Sequence, residues 1–113
     1  MNTANRKSRL AAATWLACLS LFAAAIAAHA DPFAKGVPGK GEALAEKSCV
    51  ACHRSMFGGD GSKIYTRPDR KVRTPEQLLS RIRTCNTNAG ANWYPEEEMH
   101  VAAYLNLRYY HFK

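Results

Sequence analysis

The clearest apolar pattern in the chain begins after Thr74. Thr74 is suited to cap a helix, Pro75 to occupy its first turn, and Gln77 to complete a capping box. Five later residues recur at intervals of three, four and seven, which places them on one helix face. These are Leu78, Leu79, Ile82, Cys85 and Asn86. We therefore expect a helix whose apolar face meets the core, followed by a loop over residues 87–94.

The end of the chain predicts a second helix. It begins at Pro95 and carries three glutamates in its first turn, where acidic side chains interact favourably with the helix dipole. Its predicted buried stripe consists of Val101, Tyr104, Leu105 and the aliphatic stem of Arg108.

A further helix is predicted from about Gly41 to Cys49, where most residues are good helix formers. Gly41 and Ala45 are small and lie one turn apart, so another helix can approach closely there. Residues 31–40 contain two prolines and two glycines and predict a flexible leader. Residues 54–73 are rich in glycine and charge and predict a loop. The predicted fold class is all-α, with one small domain over residues 41–113.

The N-terminal residues have the composition of an export signal. Arg6, Lys7 and Arg9 precede an apolar segment over residues 10–28, and Ala28-His29-Ala30 is an A-x-A cleavage site. We expect residues 1–30 to be cleaved and the mature protein to be periplasmic. The alternative is a retained anchor, but the apolar segment is rich in alanine and near the minimum length for spanning a bilayer. We therefore expect no stable membrane insertion after cleavage.

The charge of the mature chain bears on its partners. Cleavage removes three basic and no acidic residues, which leaves thirteen basic against nine acidic residues and a net charge of +4. That excess is too small for a dedicated nucleic-acid binder. It favours transient docking on an acidic protein. We expect a monomer whose small core is completed by a covalently bound group.

The motif Cys49-Val50-Ala51-Cys52-His53 identifies that group. Two cysteines three apart followed at once by histidine form the attachment pattern of c-type haem. Each thiol would add across one haem vinyl group, and His53 would bind the iron. A thioredoxin-like site would need a βαβ context, a zinc site would need a second pair of ligands, and a structural disulfide leaves His53 without a role. A chance occurrence is hard to reconcile with an export signal.

The chain resembles the class I cytochromes c in this motif and in the closing helix over residues 101–107. The resemblance implies N- and C-terminal helices that cross around one covalently bound haem c. Gly41 or Ala45 would receive Tyr104 at the crossing. It also implies one-electron transfer to a redox partner protein, without enzymatic activity.

One departure from that family concerns the sixth iron ligand. The family takes a methionine from the loop before the last helix, and no methionine lies between Phe57 and Glu98 here. Met99, His100 and His111 are alternative sixth ligands. Met99 and His100, however, lie in the last helix, where their side chains are expected to pack against other helices.

The segment from Arg83 to Gly90 is similar to the sphaeroides haem protein type, in which an asparagine beside a cysteine ligates iron weakly. Asn86 is the nearest match, although that family's asparagine precedes its cysteine, where this chain has Thr84. The resemblance implies a second function, that of a high-spin haem protein that binds a small gas such as O2, NO or CO. Asn86 is alternatively a helix C-cap. Cys85 is a small buried hydrophobe, an iron thiolate ligand or an intermolecular disulfide partner.

Other residues have predicted roles around the haem. Trp93 and Tyr94 are expected to be core aromatics against the ring, and Met56 to pack on the proximal side. Four basic residues form either a solvated face or partners for a haem propionate. They are Arg67, Arg70, Lys71 and Arg73.

Overall fold

A computed structural model of the chain describes residues 30–113. The predicted signal segment lies outside the described residues, apart from Ala30. The described residues form five α-helices, which we label α1 Pro38–Ala45, α2 Ala51–Phe57, α3 Lys63–Thr66, α4 Pro75–Ala89 and α5 Pro95–Leu105. Two π-helical segments follow α1 and α5, at Glu46–Val50 and Asn106–Tyr110. Helix accounts for 65% of this part of the chain, which contains no strand, so the all-α prediction is confirmed.

The first helix is longer than its sequence predicts. Glu46 and Ala51 both keep right-handed helical dihedrals, so α1, the π segment and α2 form one continuous helix over residues 38–57. It begins early because Pro38 occupies its first turn, where its fixed φ is favourable. It ends at Gly58, whose φ of 72° leaves the helical region. The predicted range of Gly41 to Cys49 is therefore too short at both ends.

The predicted flexible leader is folded against the domain. Phe33 is 3% exposed and belongs to the core, and its N–H donates to the Asp31 carboxylate at 2.9 Å. Gly36 packs against the backbone of Met99 and the Cβ of Ala103. Burial of the Phe33 side chain therefore stabilises a segment that proline and glycine alone predict to be loose.

The helix α1 packs most extensively against α5, and Gly41 makes this approach possible. A Cβ at Gly41 would overlap the carbonyl oxygen of His100 and would lie 2.8 Å from the Val101 nitrogen. Small residues at a close helix crossing are therefore confirmed. Gly41 faces the backbone of His100. The family resemblance implied instead that Gly41 or Ala45 would receive the side chain of Tyr104.

Helix α4 begins as predicted but ends later. The Thr74 hydroxyl accepts from the Gln77 N–H at 3.2 Å. The Gln77 side chain, however, accepts from the Arg73 N–H at 2.8 Å, so the predicted capping box does not close on Thr74. The helix ends at Gly90, which has a left-handed φ of 60°. Residues 87–89, which we predicted as loop, are therefore helical, and Asn86 lies before the C-cap.

Helix α5 begins at Pro95, and Glu97 accepts from the Tyr94 N–H at 2.8 Å. Val101 and Leu105 are buried as predicted, whereas Arg108 is exposed. Asn106 closes the C-terminal end, because its side-chain oxygen accepts from the Phe112 N–H at 2.7 Å and its amide donates to the Phe112 carbonyl.

No helix within residues 30–113 is both long enough and apolar enough to cross a membrane.

We expect Gly41→Ala to lower the free energy of unfolding by about 1–3 kcal/mol, because its new methyl group would collide with the α5 backbone. The matched control is Gly39→Ala in the same helix, where a Cβ meets nothing within 4 Å. That control should be neutral or stabilising by about 0.5–1 kcal/mol. Urea denaturation of both variants measures the difference, and equal stabilities would contradict the close crossing.

Candidate functional site

A cavity of about 490 Å³ lies between the first helix, α4 and α5. This is within the range of ~300–1,000 Å³ that is usual for small-molecule and cofactor sites. Apolar side chains from several elements form most of its surface. They include Leu78 and Ile82 of α4, Val101 and Leu105 of α5, and Val72, Trp93 and Tyr110.

The three residues of the cysteine–histidine motif line this cavity together. Cys49 belongs to the π-helical segment, and Cys52 and His53 belong to the first turn of α2. Residues three and four apart share one face of a helix, which explains why Cys49 and the pair Cys52–His53 face the same space. The described cysteines Cys49, Cys52 and Cys85 are all free thiols. The motif is therefore not a disulfide in this structure.

Burial affects the protonation of Cys49. Burial, followed by the nearby Cys85 and Cys52 thiols, raises the pKa of Cys49 to about 11. A reactive Cys-x-x-Cys pair needs a thiol of lowered pKa in electropositive surroundings. Cys49 is instead a neutral thiol at neutral pH. A thioether is also uncharged, so conversion to one suits the same apolar environment.

His53 is held in a state that can bind a metal. Burial lowers the pKa of His53 below its ordinary value, so the ring is neutral at neutral pH and a nitrogen lone pair is available. The His53 Nδ1 lies 2.8 Å from the Tyr65 hydroxyl. Phe57 packs edge-on against the imidazole, with ring centroids 6.0 Å apart. Nδ1 is therefore committed to a hydrogen bond, and Nε2 remains for a ligand.

Tyr65 reaches His53 because the chain after α2 folds back sharply. Gly61 has a φ of +80°, and a Cβ there would lie 2.8 Å from the His53 Cβ. The glycine thus allows the loop to cross α2 directly over His53 and leads into α3, which carries Tyr65. Burial raises the pKa of the Tyr65 phenol, which therefore stays neutral. The sequence predicts only a loop here, and the glycines at 58, 59 and 61 are the available signal of a tight return.

The face of α4 that lines the cavity is rotated from the predicted one. It consists of Leu78, Arg81, Ile82, Cys85, Asn88 and Ala89. At about 100° per residue, this stripe is centred between Ile82 and Cys85, and Asn86 falls on its flank. Arg81, which is not among the five residues of the predicted face, belongs to the stripe. Cys85 is half-buried in it, and burial raises the pKa of its thiol.

Asn86, the predicted iron ligand, does not line the cavity in this structure. Its amide nitrogen donates to the Trp93 carbonyl at 3.0 Å and to Glu98 Oε1 at 2.9 Å, and its oxygen accepts from the Trp93 N–H at 2.9 Å. Glu98 is itself buried and pairs with Arg83 at 3.3 Å. Ligation by Asn86 would require all three of its hydrogen bonds to break. As an iron ligand Asn86 therefore stays a prediction that this arrangement disfavours.

Met99, His100 and His111, three of the other predicted ligands, also lie away from the cavity. His100 is 5% exposed, and its Nδ1 accepts from the Val37 N–H at 3.0 Å, which fixes it at the start of α1. Met99 is half-buried, with its carbonyl oxygen facing Gly36. His111 is exposed beyond the closing helix. Of the four side chains proposed besides Asn86, Cys85 is the one that lines the cavity.

Three cations and no carboxylate are found among the described lining residues. The cations are Arg67, Lys71 and Arg81. The Nε of Arg67 is buried without a hydrogen bond, since the nearest carboxylate oxygen, Asp69 Oδ1 at 3.4 Å, is within ion-pair distance but not aligned for one. Such an orphaned donor suits an anionic group at the edge of the cavity.

Arg70 and Arg73, the other two members of the predicted basic face, are engaged elsewhere. Arg70 donates to the Tyr65 carbonyl at 3.1 Å and stacks over the Tyr110 ring, and Arg73 donates to the Pro68 carbonyl at 3.2 Å. Both arginines therefore stabilise the return of the chain after α3, and neither lines the cavity.

The predictions for Trp93, Tyr94 and Met56 have different outcomes in the structure. Trp93 is buried and lines the cavity, in accordance with its prediction as a core aromatic. Tyr94 is 76% exposed, because it precedes α5 and points to solvent. Met56 is 66% exposed rather than packed, although it lines the cavity and its sulfur lies 3.7 Å from that of Cys52.

The haem that the motif implies fits these residues. The cavity has apolar walls and a volume usual for cofactor sites, His53 is neutral, two thiols lie beside it, and three cations are among the lining residues. By contrast, no three His, Cys, Asp or Glu residues within 30–113 converge closely enough to hold a metal ion by themselves. Comparisons with protein-family models, curated proteins and solved structures give no significant match. The resemblance to class I cytochromes c therefore rests on the residues described above.

We expect Asn86→Ala to lower the free energy of unfolding by about 1–3 kcal/mol, because it leaves the Trp93 backbone and Glu98 without their partner. The matched control is Asn88→Ala, which removes an exposed amide one turn from Cys85 and should change stability by less than about 0.5 kcal/mol. Urea denaturation gives the stabilities. An unchanged stability with an altered haem absorption spectrum in Asn86→Ala would instead support iron ligation.

Proposed function

We propose that the chain is a mono-haem c-type cytochrome, exported to the periplasm, that transfers one electron at a time. The observation that carries this proposal is the arrangement of Cys49, Cys52 and His53 along one wall of an apolar cavity of about 490 Å³. A soft, neutral imidazole beside two thiols is the donor set that attaches haem covalently and ligates its iron.

The haem supplies the one-electron redox chemistry, and the chain sets the conditions for it. Cys49 and Cys52 would hold the ring through thioether bonds, and His53 Nε2 would bind the iron. The apolar side chains of α4 and α5 exclude water from the cavity, which disfavours the more highly charged oxidation state. Arg67 and Lys71 would pair with the propionates and reduce the cost of bringing these anions to a low-dielectric site.

The surface near the motif supports a docking partner that is acidic. Cys52 and Met56 are exposed where the cavity meets solvent, so this edge offers a short route for an electron. Lys71 and Arg81 lie at the cavity and are exposed themselves. A positive rim around an apolar patch favours transient association with a negatively charged protein.

A second function, reversible binding of a small gas, is favoured by the α4 wall. Of the sixth ligands considered from the sequence, the one that reaches the cavity is Cys85, and burial raises the pKa of that thiol. A neutral thiol is a weak ligand for ferrous iron. A haem held by His53 alone in the reduced state would be high-spin and open to O2, NO or CO.

Haem should remain attached to the mature protein after acid-acetone extraction, because thioether bonds survive conditions that break axial ligation. Cys49→Ala and Cys52→Ala should each retain one thioether, visible as a red shift of the alkaline pyridine spectrum. Cys85→Ser is the control and should keep both bonds. Complete extraction of haem from the unmodified protein would refute a c-type cytochrome.

The two functions predict different responses to Cys85→Ser. For the electron carrier we expect the ferric protein to change from low-spin to high-spin in this variant, because Cys85 is the one of the sixth ligands considered from the sequence that lines the cavity. Asn86→Ala is the control and should leave the spectrum unchanged. Absorption spectra of both redox states, with and without carbon monoxide, make the measurement. An unchanged Cys85→Ser spectrum, with rapid carbon monoxide binding by the reduced protein, would favour gas binding.

A further inference from the structure

We propose that Tyr65 is the positioning residue for His53 and that its hydroxyl oxygen tunes the reduction potential of the haem. This inference rests on the proposed function, because it concerns the imidazole that would bind the iron. The observation behind it is the 2.8 Å separation between the Tyr65 oxygen and His53 Nδ1. Metal-bound histidines usually donate their other N–H to a carboxylate, a backbone carbonyl or water. A phenol in that position is a distinct choice with its own electronic consequence.

The direction of the hydrogen bond follows from the tautomer. Nε2 must offer its lone pair to the iron, so the single proton of the neutral imidazole resides on Nδ1. Nδ1 therefore donates and the Tyr65 oxygen accepts. A neutral phenol oxygen accepts less strongly than a carboxylate, so His53 gains only slight imidazolate character. The ferric state is stabilised by this bond, but less than an acidic partner would stabilise it.

Several contacts hold the Tyr65 ring so that its oxygen stays at Nδ1. The ring stacks on Tyr109 with centroids 4.9 Å apart and packs edge-on against Tyr110 at 6.1 Å. Arg70 donates to the Tyr65 carbonyl at 3.1 Å and fixes the end of α3. Gly61 keeps the preceding loop directly on His53. These contacts come from the segment between α2 and α4 and from the π-helical segment Asn106–Tyr110, so two distant parts of the chain determine the orientation of one imidazole.

The hydroxyl and the ring of Tyr65 can be tested separately. Tyr65→Phe removes the oxygen and keeps the stacked ring. Tyr109→Phe is the matched control, because it removes a hydroxyl from the neighbouring ring of the same stack, and the hydrogen-bond partner of His53 is Tyr65. Both variants should retain covalent haem, which is checked by mass. This check separates failure of the proposed function from failure of the present inference.

Loss of the acceptor should make the ferric state less stable relative to the ferrous state. We therefore expect the Tyr65→Phe holoprotein to have a more positive reduction potential than the Tyr109→Phe holoprotein. The difference should correspond to about a fivefold change in the equilibrium constant for reduction, as one ordinary hydrogen bond would give. Spectroelectrochemical titration at one pH measures both proteins.

A second measurement tests the hydrogen bond in the unmodified protein. In the ferric cyanide complex, the Nδ1 proton of His53 should be visible by nuclear magnetic resonance and should exchange slowly with water. Tyr65→Phe should accelerate that exchange several-fold, whereas Tyr109→Phe should not. Equal potentials in the two variants, or a rapidly exchanging Nδ1 proton in the unmodified protein, would overturn the role of Tyr65 while leaving the cytochrome proposal intact.

Discussion

The close crossing of α1 and α5 at Gly41 is the constraint on which the other features depend. Because a glycine meets the His100 carbonyl, the two helix backbones approach more closely than any side chain would permit. The continuation of the first helix then carries Cys49 and His53 past the end of the crossing, where α4 completes the third side of the cavity. The site is thus positioned by backbone contact between the first and last helices, and the apolar side chains fill the space that this contact defines.

Charge is distributed around the cavity in a consistent way. The groups inside are neutral, since burial raises the pKa of Cys49 and Cys85 and lowers that of His53. The cations stand at the edge, and the nearest buried carboxylate, Glu98, is satisfied by Arg83 and Asn86 away from the cavity. Such an interior suits a large apolar ring with two anionic substituents at one side. It suits a hydrated metal ion or a thiolate nucleophile poorly.

The sequence predicted the elements better than the orientation of their side chains. The N-terminal cap at Thr74 is a local signal, and the structure confirms it. The motif at Cys49–His53 is also local, and its role in haem attachment stays a prediction. The predicted face of α4 is rotated from the observed one because Asn86 and Leu79 fit the same helical spacing as Ile82 and Cys85. Spacing alone does not reveal which side of the helix meets another helix. The role of Asn86 depends on Trp93 and Glu98, which only folding brings near. The sequence does not predict the role of Tyr65 for the same reason, because its contact with His53 depends on the tight return of the chain at Gly61.

The π-helical segment Glu46–Val50 has a consequence for the alignment of the first helix. In a regular α-helix, residues spaced by four drift steadily around the axis. The wider turn holds more residues and offsets that drift. The series 41, 45, 49, 53 can therefore stay in line, with its first half against α5 and its second half along the cavity. The π-helical segment thus sets the rotation of the ligand-binding half of the first helix relative to the half that packs against α5. A regular α-helical turn over the same residues would leave both halves intact and would turn the donor atoms away from the space they share.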